Sequence, residues 1–517
     1  MKPNSTNKLN TLDKIQPLEQ LAEIIQLTKS SQKKLVHCHG VFDLLHIGHI
    51  RYLEQAKKMG DILVVTVTAD KYVNKGPSRP AFNQNLRAEA IAALDCVDHV
   101  AINEQSSAVE PIKLLKPDYY VKGSDYKDPT LDRTGGIALE EAAVKSVGGQ
   151  IAFTNDITFS SSNLINRNLS TLPKEMSEYL ADFSSKHSSK EILRYLDDSK
   201  SLKVLLIGET IIDEYVYCET MGKSGKEPVL AARHKESERF AGGVVAVANH
   251  VSAFSDHVQL VTFLGQTESQ EDFIRGKLNP ATQTYFLPME MGEPTIVKRR
   301  FVETYPFQKL FEIYEMGDAE SRPSETKALL ETLNRILSEF DVVIVTDYGH
   351  GMIGPEVVEL LCDKAPFLAV NTQVNAGNRG FNTISKYPRS DFICVSETEL
   401  RMEARSRSGD LKELVIDAST RLHCDRILIT HGKLGSLCYS KNEGFFDVPA
   451  VAFDVVDRVG AGDAVFSVAS LCVAMDAPIE IAGFIGNVAG GEAVGVVGNR
   501  TAIDNVSIIR HIEALLK

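Results

Sequence analysis

The chain has 517 residues, 43% of them hydrophobic and 24% charged, which is the composition of a globular protein with room for more than one domain. Its net charge of -13 argues against a general nucleic-acid binder, which needs a basic face, but leaves small anionic substrates open. No run reaches the ~20 apolar residues of a membrane helix, and the eight cysteines form no Cys-x-x-Cys pair, which speaks against a disulfide framework or a Cys-rich zinc site. With no apolar segment at its start, the chain is expected in a reducing cytoplasm.

Residues 1–33 read as a polar tip and one weakly amphipathic helix, "LEQLAEIIQLT". From 34 to 168, apolar strands alternate with helices: "KLVHCHGVF", then "HIRYLEQAKKM", "DILVVTVTAD", "NLRAEAIAAL", "DHVAIN", "AVEPIKLLK", "PDYYVKG", "ALEEAAVKSV" and "GQIAFTN". Alternation of this kind predicts a parallel α/β sheet. The Ser-rich stretch 169–202 reads as a helical linker, and a second α/β pattern, 203–517, begins at "KVLLIGETIIDEY".

Four of the chain's 13 histidines, His37, His39, His46 and His49, fall within "HCHGVFDLLHIGH". A strand ends near Phe42, and His46 and His49 then sit three residues apart at a helix entrance, on one face. Gly48 between them permits close backbone approach. A helix N-terminus favours phosphate, and two imidazoles there add donors. Lys75, Arg79, Arg87 and Lys122 follow at loops and strand ends, and ligands gather at the carboxyl ends of parallel strands. The convergence suggests a triphosphate site. Three plainer readings stand beside it: a zinc site made by the four histidines, His37 as strand packing, and Arg79 as a solvated loop charge.

"GVFDLLHIGHIRYL", "KGPSRP", "LRAEAIAAL", "PDYYVKGSDY" and "TFSSSNLINR" occur in the order and spacing of the cytidylyltransferase-like nucleotidyltransferases. Residues 34–168 resemble most the adenylyltransferase half of the bifunctional heptose-phosphate kinase/adenylyltransferases. The resemblance implies a Rossmann-like domain that transfers a nucleoside monophosphate from ATP or CTP to a sugar phosphate, with pyrophosphate leaving. It implies that His46 and His49 bind the phosphates and steady the transition state, that Lys122 and Arg87 grip phosphates, and that Mg2+ screens the remaining charge. Gly40, Phe42, Gly48, Gly123 and Asp125 fall within the same motifs and are expected along the nucleotide. Ser160, Ser161 and Ser162 match the family's Ser/Thr-rich helix start, and Asp43 is a candidate for the metal side or for supporting the groups that touch the nucleotide. Where relatives carry Thr-Asn before the glycine, this chain has Cys38-His39.

In the second pattern, "FAGGVVAVANHVSAF" sets a Gly pair before an Ala-rich helix, and "FDVVDRVGAGDAVFSVASL" sets Gly-Ala-Gly-Asp at a helix entrance. The glycines free backbone N–H groups for an anion, and Asp463 is placed to take a proton from a hydroxyl. This resembles the ribokinase-like (phosphofructokinase-B) sugar kinases over about residues 203–510. The resemblance implies ATP-dependent phosphorylation with Asp463 as base and Gly460, Ala461 and Gly462 holding the γ-phosphate. It implies a sugar pocket lined by Asp213, Gly242 and Gly243, Lys298 facing a sugar phosphate, a nucleotide turn at Gly432 and Gly435, and Glu399 on the metal side. Departures from the family are Ala246 for an Asn, Ser396 at the head of the Asn-x-x-Glu motif, and Arg458 beside the anion hole.

Taken together, the expectation is a two-domain α/β enzyme that phosphorylates and then nucleotidylates a sugar, with the kinase second where the heptose enzymes have it first. The alternatives are a nucleotidyltransferase with a non-catalytic kinase-like domain, and a polyol-phosphate cytidylyltransferase. The implied partners are a small sugar phosphate and a nucleotide, without nucleic acid or membrane, in a homodimer.

Overall fold

The computed structural model describes residues 10–29, 33–73, 79–123, 136–154, 172–289, 292–317, 323–378, 380–452 and 455–516. The chain divides into two compact units, Met1–Leu172 with Glu513–Lys517, and Pro173–Ile512. No helix among the described residues is long and apolar enough to cross a membrane.

The first unit holds β1 (Leu35–Gly40), β2 (Ile62–Thr68), β3 (His99–Asn103), β4 (Tyr119–Lys122) and β5 (Gln150–Phe153). They pair in the order β3-β2-β1-β4-β5, all parallel. Every residue of β2 is buried, which is why it reads as a continuous apolar run rather than an alternating one. One face of the sheet packs Val36, Cys38, Leu63, Val65 and Val121 against Leu53, Ala88 and Ile91 of the covering helices. The other packs Leu35, Ile62 and Val64 against Leu18, Leu21 and Ile25. The chain leaves β1 toward β2 and β3 on one side and returns to β4 on the other. The crevice where an open α/β sheet takes a ligand therefore lies beyond the carboxyl ends of β1 and β4.

The second unit is likewise α/β, built on two sheets. Its strands are β6 (Lys203–Gly208), β7 (Thr210–Lys223), β8 (Leu230–Gly243), β9 (His257–Leu264), β10 (Gln283–Pro288), β11 (Ile296–Glu303), β12 (Gln308–Glu315), β13 (Val342–Asp347), β14 (Leu368–Thr372), β15 (Phe392–Ser396), β16 (Arg426–Thr430), β17 (Ser436–Ser440) and β18 (Gly444–Val448). Nine form one sheet, β10-β9-β6-β13-β14-β15-β16-β17-β18, parallel as far as β16 and antiparallel beyond it. A smaller sheet runs β12-β11-β7-β8. The helices Ala461–Ala474 and Ile479–Ala493 are buried along nearly their whole length and pack on each other, so their largely apolar sequence reflects burial on all sides.

The stretch expected as a helical linker is helical, but its apolar faces belong to the second unit. The helices Lys174–Lys186 and Ser189–Asp198 bury Phe183, Leu193 and Leu196, and Phe183 meets Phe484 at 4.6 Å between ring centroids.

The switch in strand order around β6 puts the ends of β6 and β13 side by side. Their approach there leaves no room: a Cβ on Gly208 would stand 2.3 Å from the Thr346 carbonyl oxygen. Gly208→Ala should therefore destabilise the second unit by about 1–3 kcal/mol, read as a lower midpoint in denaturant at unchanged slope. An unchanged midpoint would show that the strand ends are looser than described.

Candidate active sites

In the first unit, the face of the sheet that packs Leu35 and Val64 turns polar toward the carboxyl ends. His37 Nε2 and His39 Nδ1 each lie 2.8 Å from the Thr66 hydroxyl, and His39 Nε2 lies 3.3 Å from that of Thr68. Burial, with the nearby Lys122 charge, holds His39 down to about 3 and pushes His37 well below the usual imidazole range. Both rings are therefore neutral at physiological pH.

His46 caps the helix Ile47–Lys57, its Nδ1 accepting the Gly48 N–H at 3.0 Å. That bond puts the ring proton of neutral His46 on Nε2. The His46 and His49 rings stack at 4.0 Å, and Phe42, in the left-handed region at φ 50°, meets the edge of His49 at 5.4 Å. Gly40 lets the Phe42 ring fold back over the strand end, since a Cβ there would lie 3.2 Å from Phe42 Cε2. On β4, next to β1, Lys122 is ion-paired with Glu140 at 2.8 Å, and Gly123 follows it, half-buried. Tyr52 donates to the Val121 carbonyl at 2.6 Å and ties the His-bearing helix to β4.

Several expectations change here. Arg87 does not grip phosphate: it is buried, and its guanidinium donates to the carbonyls of Val41, Thr68 and Phe82 and to the Asp70 carboxylate. It binds the β1 and β2 ends together. Arg79 is no solvated charge, because its side chain is buried against Asp43 at 2.8 Å. Asp43 also accepts the Ala81 N–H and so anchors a loop rather than a metal. The four histidines split into a Thr66-linked pair and a stacked pair, and no metal-binding cluster of His, Cys, Asp or Glu occurs among the described residues. Lys75, Asp125, Ser160, Ser161 and Ser162 lie outside the described residues.

In the second unit, Gly460 (φ 84°) starts the helix Ala461–Ala474, and Asp463 sits buried in its first turn. A Cβ on Gly460 would lie 2.2 Å from Asn499 Oδ1, so glycine is required for space as well as for backbone conformation. Asp463 Oδ1 accepts the Tyr348 hydroxyl at 3.2 Å and the Gln373 amide at 2.9 Å. Burial pushes Asp463 up to about 7, and the Tyr348 bond opposes it.

Around it stand Asp213 on β7, ion-paired with Arg300, and Lys298, opposite Asp213 in the β7–β11 register. The Lys298 ammonium lies over the rings of Tyr314 (5.1 Å) and Tyr348 (5.9 Å), and burial lowers its pKa. Gly242 exists to admit Asp213, whose Oδ2 would lie 2.2 Å from a Cβ there. Gly243, at φ 58°, is crowded by the Glu209 carbonyl in the same way. Glu209 in turn accepts the N–H groups of Tyr348 and His350, each at 3.0 Å, and locks the turn after β13.

The loop before Gly460 is tied to the small sheet. Asp457 accepts from Lys309 on β12, from Tyr215 at 2.6 Å and from the Gly498 N–H at 3.0 Å. Gly432 and Gly435, both at positive φ, form the turn between β16 and β17.

Three positions differ from expectation or explain a departure. Glu399 is not placed as a metal ligand: its oxygens accept the Val374 and Ser396 N–H groups at 3.1 and 2.7 Å. With Ser396 it forms a capping box for the helix Glu397–Glu403. Ala246 is packed within the apolar helix Val244–Val251. Arg458 is exposed. Sequence reading missed Tyr348, Gln373, Arg300, Glu209 and His350. "TDYGHGM" at the end of an apolar strand was the available signal for two of them.

A family model for pfkB family carbohydrate kinases matches residues 201–505, more than half of the chain, and the chain belongs to that family. A cytidylyltransferase-like model matches residues 37–167. Among curated relatives, the bifunctional protein HldE of Geobacter metallireducens is 38% identical over 168 residues, covering 31% of this chain and 32% of that protein. HldE of Aliarcobacter butzleri is 41% identical over 157 residues, covering 30% and 32%. The chain thus spans about a third of the length of the curated relatives it matches. Among solved structures, a phosphofructokinase-2 mutant of Escherichia coli is 13% identical, covers 61% of this chain and 100% of that one, and has a TM-score of 0.50. Ribokinase of Thermotoga maritima is 18% identical over 61% and 99%, with a TM-score of 0.48.

Arg87→Met orphans buried carbonyls and should cost about 3 kcal/mol or more of the first unit's stability, measured by thermal unfolding; a loss confined to nucleotide affinity would contradict the clamp. Because the Asp463 carboxyl titrates near 7 when folded and near 4 when unfolded, its protonated form is retained across that window. Its burial therefore destabilises the fold progressively as pH rises from about 4 to about 7. Any proton transfer to Asp463 should instead gain rate over the upper part of that range, as an acidic limb in kcat/KM for ATP-dependent phosphorylation.

Proposed function

We propose that the chain is a bifunctional enzyme that phosphorylates a sugar, heptose-like in its class, and transfers a nucleoside monophosphate to a sugar phosphate. The observation that carries the reading is Asp463: a buried carboxylate with its proton affinity raised to about 7, at a glycine-led helix N-terminus. The two catalytic units stand in the opposite order to that expected of the heptose enzymes.

In the second unit, Asp463 accepts the proton of a substrate hydroxyl as its oxygen attacks the γ-phosphorus of ATP, and ADP leaves. Tyr348 and Gln373 hold the carboxylate in place. The backbone N–H groups of Gly460, Ala461 and Gly462 face the transferring phosphoryl group, where the helix N-terminus favours negative charge. Asp213 receives sugar hydroxyls between Gly242 and Arg300. Lys298 supplies a cation for an anionic substituent.

In the first unit, a sugar-phosphate oxygen attacks the α-phosphorus of the nucleotide and pyrophosphate leaves. His46 and His49 donate to the nucleotide phosphates from the helix entrance, and Lys122 adds its charge from β4. The nucleotide, ATP or CTP, enters as its Mg2+ complex, a substrate rather than a resident metal site. Positioning and charge stabilisation carry such a displacement without a covalent intermediate.

Two variants separate the reactions. Asp463→Asn should abolish ADP formation with sugar substrates while pyrophosphate release from NTP and sugar phosphate persists; His49→Ala should do the reverse, lowering pyrophosphate release by roughly 100-fold or more. Pyrophosphate release that is lost in His49→Ala, with no sugar-dependent ADP in the wild type, would mark the second unit as a binding domain.

A further inference from the structure

The turn after β13 carries one side chain that neither reaction uses. His350 is 8% exposed, and among the described residues neither of its ring nitrogens has a hydrogen-bond partner. A buried polar group left unpaired costs about 1–3 kcal/mol, so it calls for an explanation.

Its backbone, by contrast, is held from several sides. Glu209 takes the Tyr348 and His350 N–H groups. The Asn375 and Asn378 amides donate to the Tyr348 carbonyl at 2.7 and 3.0 Å, and the Asn382 amide donates to that of Asp347 at 2.8 Å. Gly349, at φ 69°, is walled in by the side chains of Asn378 and Asn382. The turn that aims the Tyr348 hydroxyl at Asp463 thus fixes the backbone from which the imidazole two residues on projects, and that ring lies beside Gly377, where a Cβ would stand 3.2 Å from His350 Cε1.

The chemistry of that imidazole is narrow. Burial, and then the Lys298 charge, hold His350 down to about 4, so it is neutral at working pH. A neutral imidazole offers one N–H donor and one acceptor, the complement of a hydroxyl. It has no charge with which to attract an anion; that part falls to Lys298, whose ammonium faces Tyr314 and Tyr348.

We propose that His350 is a specificity-determining residue of the second unit, reading one hydroxyl of the sugar whose acceptor hydroxyl lies on Asp463, while Lys298 faces the substrate's anionic group. The inference rests on the reading of this unit as a sugar kinase.

The test measures ADP release by the full chain with mannose 6-phosphate, glucose 6-phosphate and sedoheptulose 7-phosphate, then with the monodeoxy analogues of the best of them. The wild type should reject one monodeoxy analogue by roughly 100-fold or more in kcat/KM. His350→Ala should shrink that ratio to within about threefold, and His350→Gln, which keeps a neutral donor and acceptor, should restore part of it. The acidic limb of the pH profile should not move in either variant. Unchanged discrimination in His350→Ala, or loss of the acidic limb, would overturn the assignment.

Absence of turnover with every probe would instead count against the kinase reading, and binding then decides the inference. The 15N resonances of His350, assigned by difference from His350→Gln, should shift on titration with the same three sugar phosphates. Binding without a shift, or no binding, overturns it.

Discussion

The proposed chemistry of the second unit depends on one carboxylate taken out of water. Asp463 is buried at a helix entrance, and desolvation raises its proton affinity into the neutral range. Nothing about Asp463 itself would keep it there. Gly460 must adopt positive φ in a space closed by Asn499, Tyr348 and Gln373 must meet the carboxylate, and the turn bearing Tyr348 must be held by Glu209. Glu209 is itself buried, and burial and then the Asp347 charge push its carboxyl up. One raised carboxyl is thus positioned through another. A strained, desolvated site of this kind is costly, and the apolar helices and the closely packed ends of β6 and β13 offset that cost.

The first unit solves a related problem with neutral groups. Its histidines lie where an anion is expected, yet burial keeps His37 and His39 uncharged and Thr66 joins them. Arg87 and Asp43, charged residues that sequence reading offered to the nucleotide or a metal, are spent on holding the loops that surround it. The effect is a crevice whose shape is set by buried ion pairs and carbonyl bonds, leaving the stacked His46 and His49 at the helix entrance. Removing Arg87 would loosen the ends of β1 and β2 that its bonds to Val41 and Thr68 tie together.

Much of the fold was legible in the sequence because burial leaves a plain signature. The continuous "ILVVTVT" of β2 and the apolar helix after Gly-Ala-Gly-Asp could hardly be anything else. Motif glycines were legible too, since Gly242, Gly243 and Gly460 each admit an atom that a Cβ would displace. The fate of long charged side chains was not legible. Arg87, Arg79 and Glu399 reach partners far away in sequence or spend their oxygens on backbone N–H groups, and spacing alone cannot show which bond a guanidinium or carboxylate makes. Residues such as Gln373 and Tyr348 were missed for the same reason: their meeting with Asp463 joins segments about 90 and 115 positions apart.

The most direct measurement is the titration of the Asp463 carboxyl itself, by 13C NMR of the aspartate-labelled full chain with Asp463→Asn as the difference reference. A midpoint near 7 is the predicted result. A midpoint near 4, the value of a solvated aspartate, would show that the carboxylate is not desolvated and would remove the physical basis for the proposed role as a base.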